Sequence, residues 1–221
     1  ELNSNCIVIQ GGTNFPHTPE EQKNFLLNRP NTDLYVLFEG ERSTLGVVER
    51  YLATQNNPEL FFESPIDGCM FIDPKTRETN EPKLISGKYL ERIKDLDEIP
   101  SPYLNGMLDK FFDGKLTPFI ETNRGCPFTC SFCHTGANYY HKLNKFSQTR
   151  VEDEIDFIGK KCNQLNITNL HMADVNFGMY PQDKVVCEFL LRSKKKYNWP
   201  LQIMATTGKN SKKRVMEITS I

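Results

Sequence analysis

No apolar run in the 221 residues approaches the ~18 that a membrane span needs, and the opening Glu-Leu-Asn-Ser-Asn has no basic region of the kind that starts a secretory leader. Internal repeats and low-complexity tracts are absent too. So is any excess of charge: 27 Lys and Arg against 28 Asp and Glu give a formal net charge of -1, which removes the global electrostatic case for nucleic acid. The basic runs Lys194-Lys195-Lys196 and Lys212-Lys213-Arg214 read as solvated helix ends. Seven cysteines are an odd number, and three of them crowd together, so a disulfide framework is not indicated. These absences predict a soluble cytoplasmic protein with neither a membrane nor a nucleic-acid partner.

What the chain does have is the run Arg124-Gly-Cys-Pro-Phe-Thr-Cys-Ser-Phe-Cys-His134. Its spacing, C-x-x-x-C-x-x-C, lets one loop bring Cys126, Cys130 and Cys133 to a single inorganic centre, and Gly125 and Pro127 oppose a helix that would turn the first sulfur away. Three thiolates are one short of the usual four-cysteine set of a four-iron cluster. One iron is then left for a ligand that is not protein, and an open position distinguishes reactive metal sites from structural ones.

Around this loop the pattern alternates strand and helix. Residues 6–9 and 33–38 read as strands, with a helix between them that starts at Thr18-Pro19-Glu20-Glu21: Thr18 caps it, and the acids face the positive end of its dipole. A second helix is expected near Thr44 to Ala53, with Leu45, Val48 and Leu52 on one face. From Asn56 to Gly114 six prolines interrupt the pattern, and a short strand at 69–72 suggests a small hairpin in an ordered connector. Strand 117–122 then runs into the cysteine loop. Thr149 is expected to cap a helix carrying Val151, Ile155, Ile158, Cys162 and Leu165 at helical spacing. Strand 170–173, helix 183–192, strand 202–206 and a helix from Ser211 complete the pattern. The expected divisions are therefore 1–57, a Pro-rich connector at 58–115, and 116–221, in the α/β class. In such parallel arrangements reactive groups sit on loops after the strand C-termini, which is where the cysteine loop falls.

The cysteine motif, with Phe132 directly before its last cysteine, resembles the signature of the radical S-adenosylmethionine (SAM) enzymes. The resemblance implies a 4Fe-4S cluster on Cys126, Cys130 and Cys133, with the remaining iron chelated by the amino and carboxylate groups of SAM. It also implies reductive cleavage of SAM to a 5′-deoxyadenosyl radical that abstracts hydrogen from a small-molecule or biosynthetic substrate, the electron coming from a donor such as flavodoxin or ferredoxin. Phe132 would lie beside the adenine, and Asp174, with Asn176 as its neighbour, would hold the SAM amino group. No catalytic residue is singled out.

The likeness extends outside the motif. Gly11-Gly12, the Pro19-Glu20-Glu21 turn, the stretch Asp33 to Glu41, and Leu96-Asp97-Glu98-Ile99-Pro100-Ser101-Pro102 are similar to the subgroup in which a cobalamin-binding domain precedes the barrel. This implies cobalamin as a further cofactor, near Gly11 and Gly12, and possible uses of it in methyl transfer. The implied fold is the C-terminal half of a Rossmann-like cobalamin-binding domain, followed by the first strand-helix units of a partial (β/α)6 radical SAM barrel. The subgroup's D-x-H-x-x-G and S-x-L motifs have no match here, so the chain is expected to be an internal piece of a longer enzyme that binds cobalamin weakly by itself.

A rival reading is a non-catalytic zinc or iron-sulfur module. In its zinc form, His141 joins the three cysteines to close a tetrahedral site. His134 follows Cys133 too closely to bind the same metal, while His17 and His171 read as loop and strand residues. Thr206, Thr207, Gly208, Lys209 and Asn210 fit a turn and helix cap better than a binding loop. Cys6, Cys69, Cys162 and Cys187 read as ordinary buried thiols.

Overall fold

The computed structural model describes residues 6–55, 57–207 and 212–220. The expected turn at Gly208, Lys209 and Asn210, and the helix start at Ser211, lie outside the described residues. The chain forms two compact units, Glu1–Arg92 and Ile93–Ile221. Residues 58–115, expected as a connector, are thus divided between them.

In the first unit, β1 (Ile9–Gly11) pairs in parallel with β2 (Leu34–Val36), joined by α1 (Pro19–Leu27). Helix α1 begins as its sequence dictates: Thr18 accepts a hydrogen bond from the Glu21 amide and Pro19 takes the first turn. After α2 (Gly40–Ala53) and the short α3 (Pro58–Phe61), the hairpin β3 (Cys69–Ile72) and β4 (Leu84–Ser86) adds antiparallel to β2. The sheet is therefore mixed, in the order β1-β2-β3-β4, not the parallel sheet that alternating strands and helices suggested. Period-2 alternation gives the sheet two buried faces. Leu34, Val36, Cys69 and Phe71 meet Val47 and Phe61 on one, while Tyr35, Leu37, Met70 and Ile72 meet Leu26 on the other.

Two further expectations in this unit are corrected. Helix α2 buries Ser43 and Val47, leaving Leu45, Val48 and Leu52 exposed, because the sheet contacts the helix one position away from its most apolar stripe. Cys6 is exposed, since β1 starts later than the apolar run that seemed to begin with it.

In the second unit, β5 (Phe119–Ile120), β8 (Asn169–Phe177) and β9 (Gln202–Thr207) form a parallel sheet in that order. Between β5 and β8 the chain makes a small antiparallel pair, β6 (Asn123–Arg124) with β7 (Asn144–Lys145), and then α4 (Gln148–Leu165). Helix α5 (Pro181–Tyr197) links β8 to β9, and α6 (Lys212–Thr219) follows. Val151, Ile155, Ile158 and Cys162 line one face of α4 and join Ile120, Leu170, Met172, Val186, Phe189 and Trp199 in the core. Each such large side chain, fully buried, contributes about 1.5 to 3 kcal/mol.

The N-cap of α4 is Ser147, whose hydroxyl accepts from the Arg150 amide, and not Thr149. Asp97 in turn accepts from the Ser147 amide, so the segment at 96–102 fixes the helix start. The same segment is tied to α4 by Ser101 Oγ, which donates to Glu154 at 2.5 Å, and by the buried Arg150–Glu154 pair at 2.6 Å. The Tyr103 hydroxyl donates to Phe119 O at 2.7 Å and accepts from Phe119 N at 3.1 Å, holding the free side of β5. None of the helices among the described residues is long and apolar enough to cross a membrane.

Candidate metal centre

Because β5, β8 and β9 are parallel, their C-terminal ends share one edge of the sheet, and the loop carrying the cysteines leaves from that edge. Its neck is closed by β6 and β7, which pair Asn123 with Lys145 and Arg124 with Asn144. Just inside the neck, Cys126 N donates to Tyr140 O at 2.8 Å, and Cys133 N donates to Cys130 O at 3.0 Å further along. Gly125 has φ +123°, and a Cβ on it would lie 2.3 Å from Lys142 O. Only glycine meets both demands. A Cβ on Gly136 would likewise lie 2.5 Å from Cys130 O, so the loop closes on itself backbone to backbone.

The cysteine side chains have separate environments. Cys126 is 5% exposed, and Asn176 Nδ2, itself on a residue 3% exposed, lies 3.2 Å from its sulfur. Cys133 Sγ is 3.1 Å from Thr135 Oγ1, and Cys130 is half-buried. Among the described residues no three His, Cys, Asp or Glu side chains gather round the position of a single metal ion. The loop's backbone is what is organised in advance; convergence of the thiols depends on metal bonds that the chain alone does not make. His141 Nε2 lies 3.1 Å from Gly136 O, which leaves Nδ1 as the ring nitrogen that could face a metal.

The donor set suits an iron-sulfur cluster. In such a cluster each thiolate binds a different iron, so the sulfurs need not meet at one point, and N–H donors to sulfur are part of its usual surroundings. Three free thiols on one glycine-shaped loop, one of them receiving a buried amide, meet those needs.

Strand β8 supplies two polar groups at the loop. It extends to Phe177, past the expected end at 173, and its alternation turns Asp174 and Asn176 to the same buried side. Asp174 is 1% exposed; its carboxylate accepts from Thr122 N at 3.1 Å, from Thr122 Oγ1 at 2.5 Å, and from Asn123 Nδ2. It thereby ties the end of β5 to β8. Burial raises its pKa to about 6, the Thr122 hydrogen bonds oppose the rise, and the nearby Asp183 and Glu121 add to it. Asp183, completely buried at the start of α5, accepts from Gly178 N and Tyr180 N, both at 2.8 Å, and burial raises its pKa too. Sequence reasoning passed over Asp183, although an acid in the first turn of a helix was the available signal.

The other expected residues have the following surroundings. Phe132 is 84% exposed at the loop's surface. Thr206 and Thr207 end β9 at the same sheet edge. In the first unit Gly11 lies in β1 against Val36, while Gly12 follows with φ +117° and its carbonyl accepts from the Tyr35 hydroxyl at 2.9 Å. Phe15 stacks on Tyr35 with ring centroids 4.0 Å apart.

No model of a known protein family matches the chain. It is 28% identical over 221 residues to the cobalamin-dependent radical SAM methyltransferase TokK of Streptomyces tokunonensis, covering 97% of this chain and 30% of that protein. It is 29% identical over 225 residues to the 2-(S-pantetheinyl)-carbapenam-3-carboxylate methyltransferase of Streptantibioticus cattleyicolor, covering 99% and 30% respectively. The chain thus spans about a third of the length of these curated relatives.

In fold it matches the solved cobalamin-dependent SAM radical enzyme OxsB with a TM-score of 0.57 at 19% identity, over 97% of this chain and 28% of that one. The radical SAM methyltransferase TsrM of Kitasatospora setae, solved with cobalamin and a [4Fe-4S] cluster, matches with a TM-score of 0.51 at 14% identity, over 86% and 34%. Over nearly its whole length, then, the chain is similar in sequence to two methyltransferases, one of them a cobalamin-dependent radical SAM enzyme.

Proposed function

We propose that the protein to which this chain belongs is a radical SAM enzyme whose cluster is held by Cys126, Cys130 and Cys133, and that it uses cobalamin for methyl transfer to a small-molecule or biosynthetic substrate. The observation that carries this reading is the three-cysteine loop, closed at its neck by β6 and β7, at the C-terminal edge of a parallel sheet. When bound, the cluster supplies reductive cleavage of SAM to a 5′-deoxyadenosyl radical, with the electron coming from a flavodoxin or ferredoxin. The chain's own work is to shape the loop through Gly125 and Gly136, to shield the first sulfur, and to offer the exposed Phe132 as a surface for adenine. Near Gly11 and Gly12 the tight glycine turn suits the close approach of a cobalamin. On this reading β5, β8 and β9 with their helices belong to a partial (β/α)6 barrel, and Glu1–Arg92 contains the C-terminal part of a cobalamin-binding domain.

A tetrahedral zinc site closed by His141 is the rival that the following experiment separates from the cluster. Anaerobic reconstitution with iron and sulfide tests the proposal. A brown protein with about four irons per chain is expected. Alanine at Cys126, Cys130 or Cys133 should abolish the cluster, and alanine at Cys6, Cys69, Cys162 or Cys187 should not. A colourless protein that takes up one zinc, or full iron content after all three loop replacements, refutes it.

A further inference from the structure

We infer that Asn176 is a positioning residue that raises the reduction potential of the cluster through its hydrogen bond to Cys126, an inference that rests on the cluster reading above. The contact joins two elements fifty residues apart in sequence, Asn176 on β8 and Cys126 on the loop, with 3.2 Å between Nδ2 and Sγ. Its orientation follows from chemistry. A thiolate that binds iron can only accept, so the amide nitrogen, not the carbonyl oxygen, faces the sulfur.

Both residues are almost fully buried, at 3% and 5% exposure, so water does not compete for the bond. In such surroundings an N–H dipole aimed at sulfur is worth more than in water, and it stabilises the more negatively charged state of the cluster. That state is the reduced one. The bond therefore favours uptake of the electron.

The contact between Cys133 Sγ and Thr135 is of a different kind. Cys133 meets Thr135 within the same loop, where either atom can donate and both are partly exposed. Asn176 instead belongs to the rigid strand whose neighbouring inward residue, Asp174, already holds Thr122 and Asn123. Strand β8 thus grips the chain on both sides of Gly125, once by carboxylate and once by amide, and the second grip falls on a cluster ligand.

The test is an anaerobic redox titration of the intact reconstituted protein with dithionite as the electron source, followed by electron paramagnetic resonance of the reduced cluster. Asn176→Leu keeps the approximate shape and removes the donor. It should retain its iron and show a lower midpoint, with the reduced-to-oxidised ratio at fixed potential falling by up to about tenfold, which for one electron is about 59 mV. Asn176→Asp turns a carboxylate towards the sulfur and should lower the midpoint further. Equal midpoints in all three proteins, or loss of iron from both variants while the parent keeps it, overturn the inference, the second result leaving Asn176 with a purely structural role. A parent that assembles no cluster overturns the underlying reading instead.

Discussion

Asp174 shows how one buried side chain can be assigned two roles by chemistry and one by geometry. A carboxylate near the end of a parallel strand is suited to an ammonium, and here its oxygens also accept from Thr122 and Asn123. Asp174→Ala would leave those donors buried without an acceptor, at about 1 to 3 kcal/mol for each group. The expected result is lower thermal stability together with poor cluster assembly. Normal assembly with SAM affinity reduced ten- to a hundredfold would return Asp174 to the ammonium.

Titration gives an independent check on the same residue. Its folded pKa of about 6 is above the ordinary 3.8, so the folded protein holds the proton more tightly than the unfolded chain does. Stability from this group is complete below pH 3.8, declines as pH rises, and is gone above about 6, a change on the order of 3 kcal/mol. Asp174→Asn should flatten the stability profile in that window. Unfolding by denaturant at several pH values measures it, and an unchanged slope would place the titration elsewhere, Asp183 being the next group to replace.

At the scale of elements, two helical glycines of similar appearance in sequence should respond in opposite ways. A Cβ on Gly159 of α4 would lie 2.3 Å from Ser193 Oγ and 2.9 Å from the Tyr197 ring on α5, whereas one on Gly46 of α2 meets nothing within 4 Å. Gly46→Ala should stabilise by about 0.5 to 1 kcal/mol through backbone entropy. Gly159→Ala gains the same entropy but loses about 1 to 3 kcal/mol to overpacking, so its melting temperature should fall. Comparable shifts in the two proteins would mean that α4 and α5 are not in close contact.

Such differences explain which elements were legible in the sequence. The cysteine loop, α1 with its Thr18 cap, and the core face of α4 depend on local spacing, and each was found where its residues indicated. The start of α4 was misplaced because Ser147 and Thr149 are both good caps, and the choice is made by Asp97, some fifty residues away, accepting from the Ser147 amide. The exposed stripe of α2 and the antiparallel addition of β3 to β2 failed for the same reason: both depend on which face of a distant strand is left to cover. The surroundings of the sulfurs were not legible, because the amide beside Cys126 comes from Asn176 on β8, fifty residues away.

On the scale of the whole molecule, the two units differ in what they hold. Cys126, the β6–β7 neck, and both inward polar groups of β8 all come from Ile93–Ile221, as does the segment at 96–102 that caps α4 through Asp97. Gly11, Gly12, Tyr35 and Phe15 all come from Glu1–Arg92. If the proposed cofactors follow this division, iron uptake should survive removal of the first unit. Residues 93–221 produced alone should reconstitute to about four irons per chain under anaerobic conditions. Leu201, Ile203 and Met204 are exposed on and beside β9, so association of the isolated unit is expected and the iron count must be taken from a monodisperse fraction on a sizing column. Iron uptake by the two-unit chain but none by folded 93–221, with folding established by circular dichroism, would show that the first unit completes the site, and the assignment of the cluster to the cysteine loop with β8 alone would have to be given up.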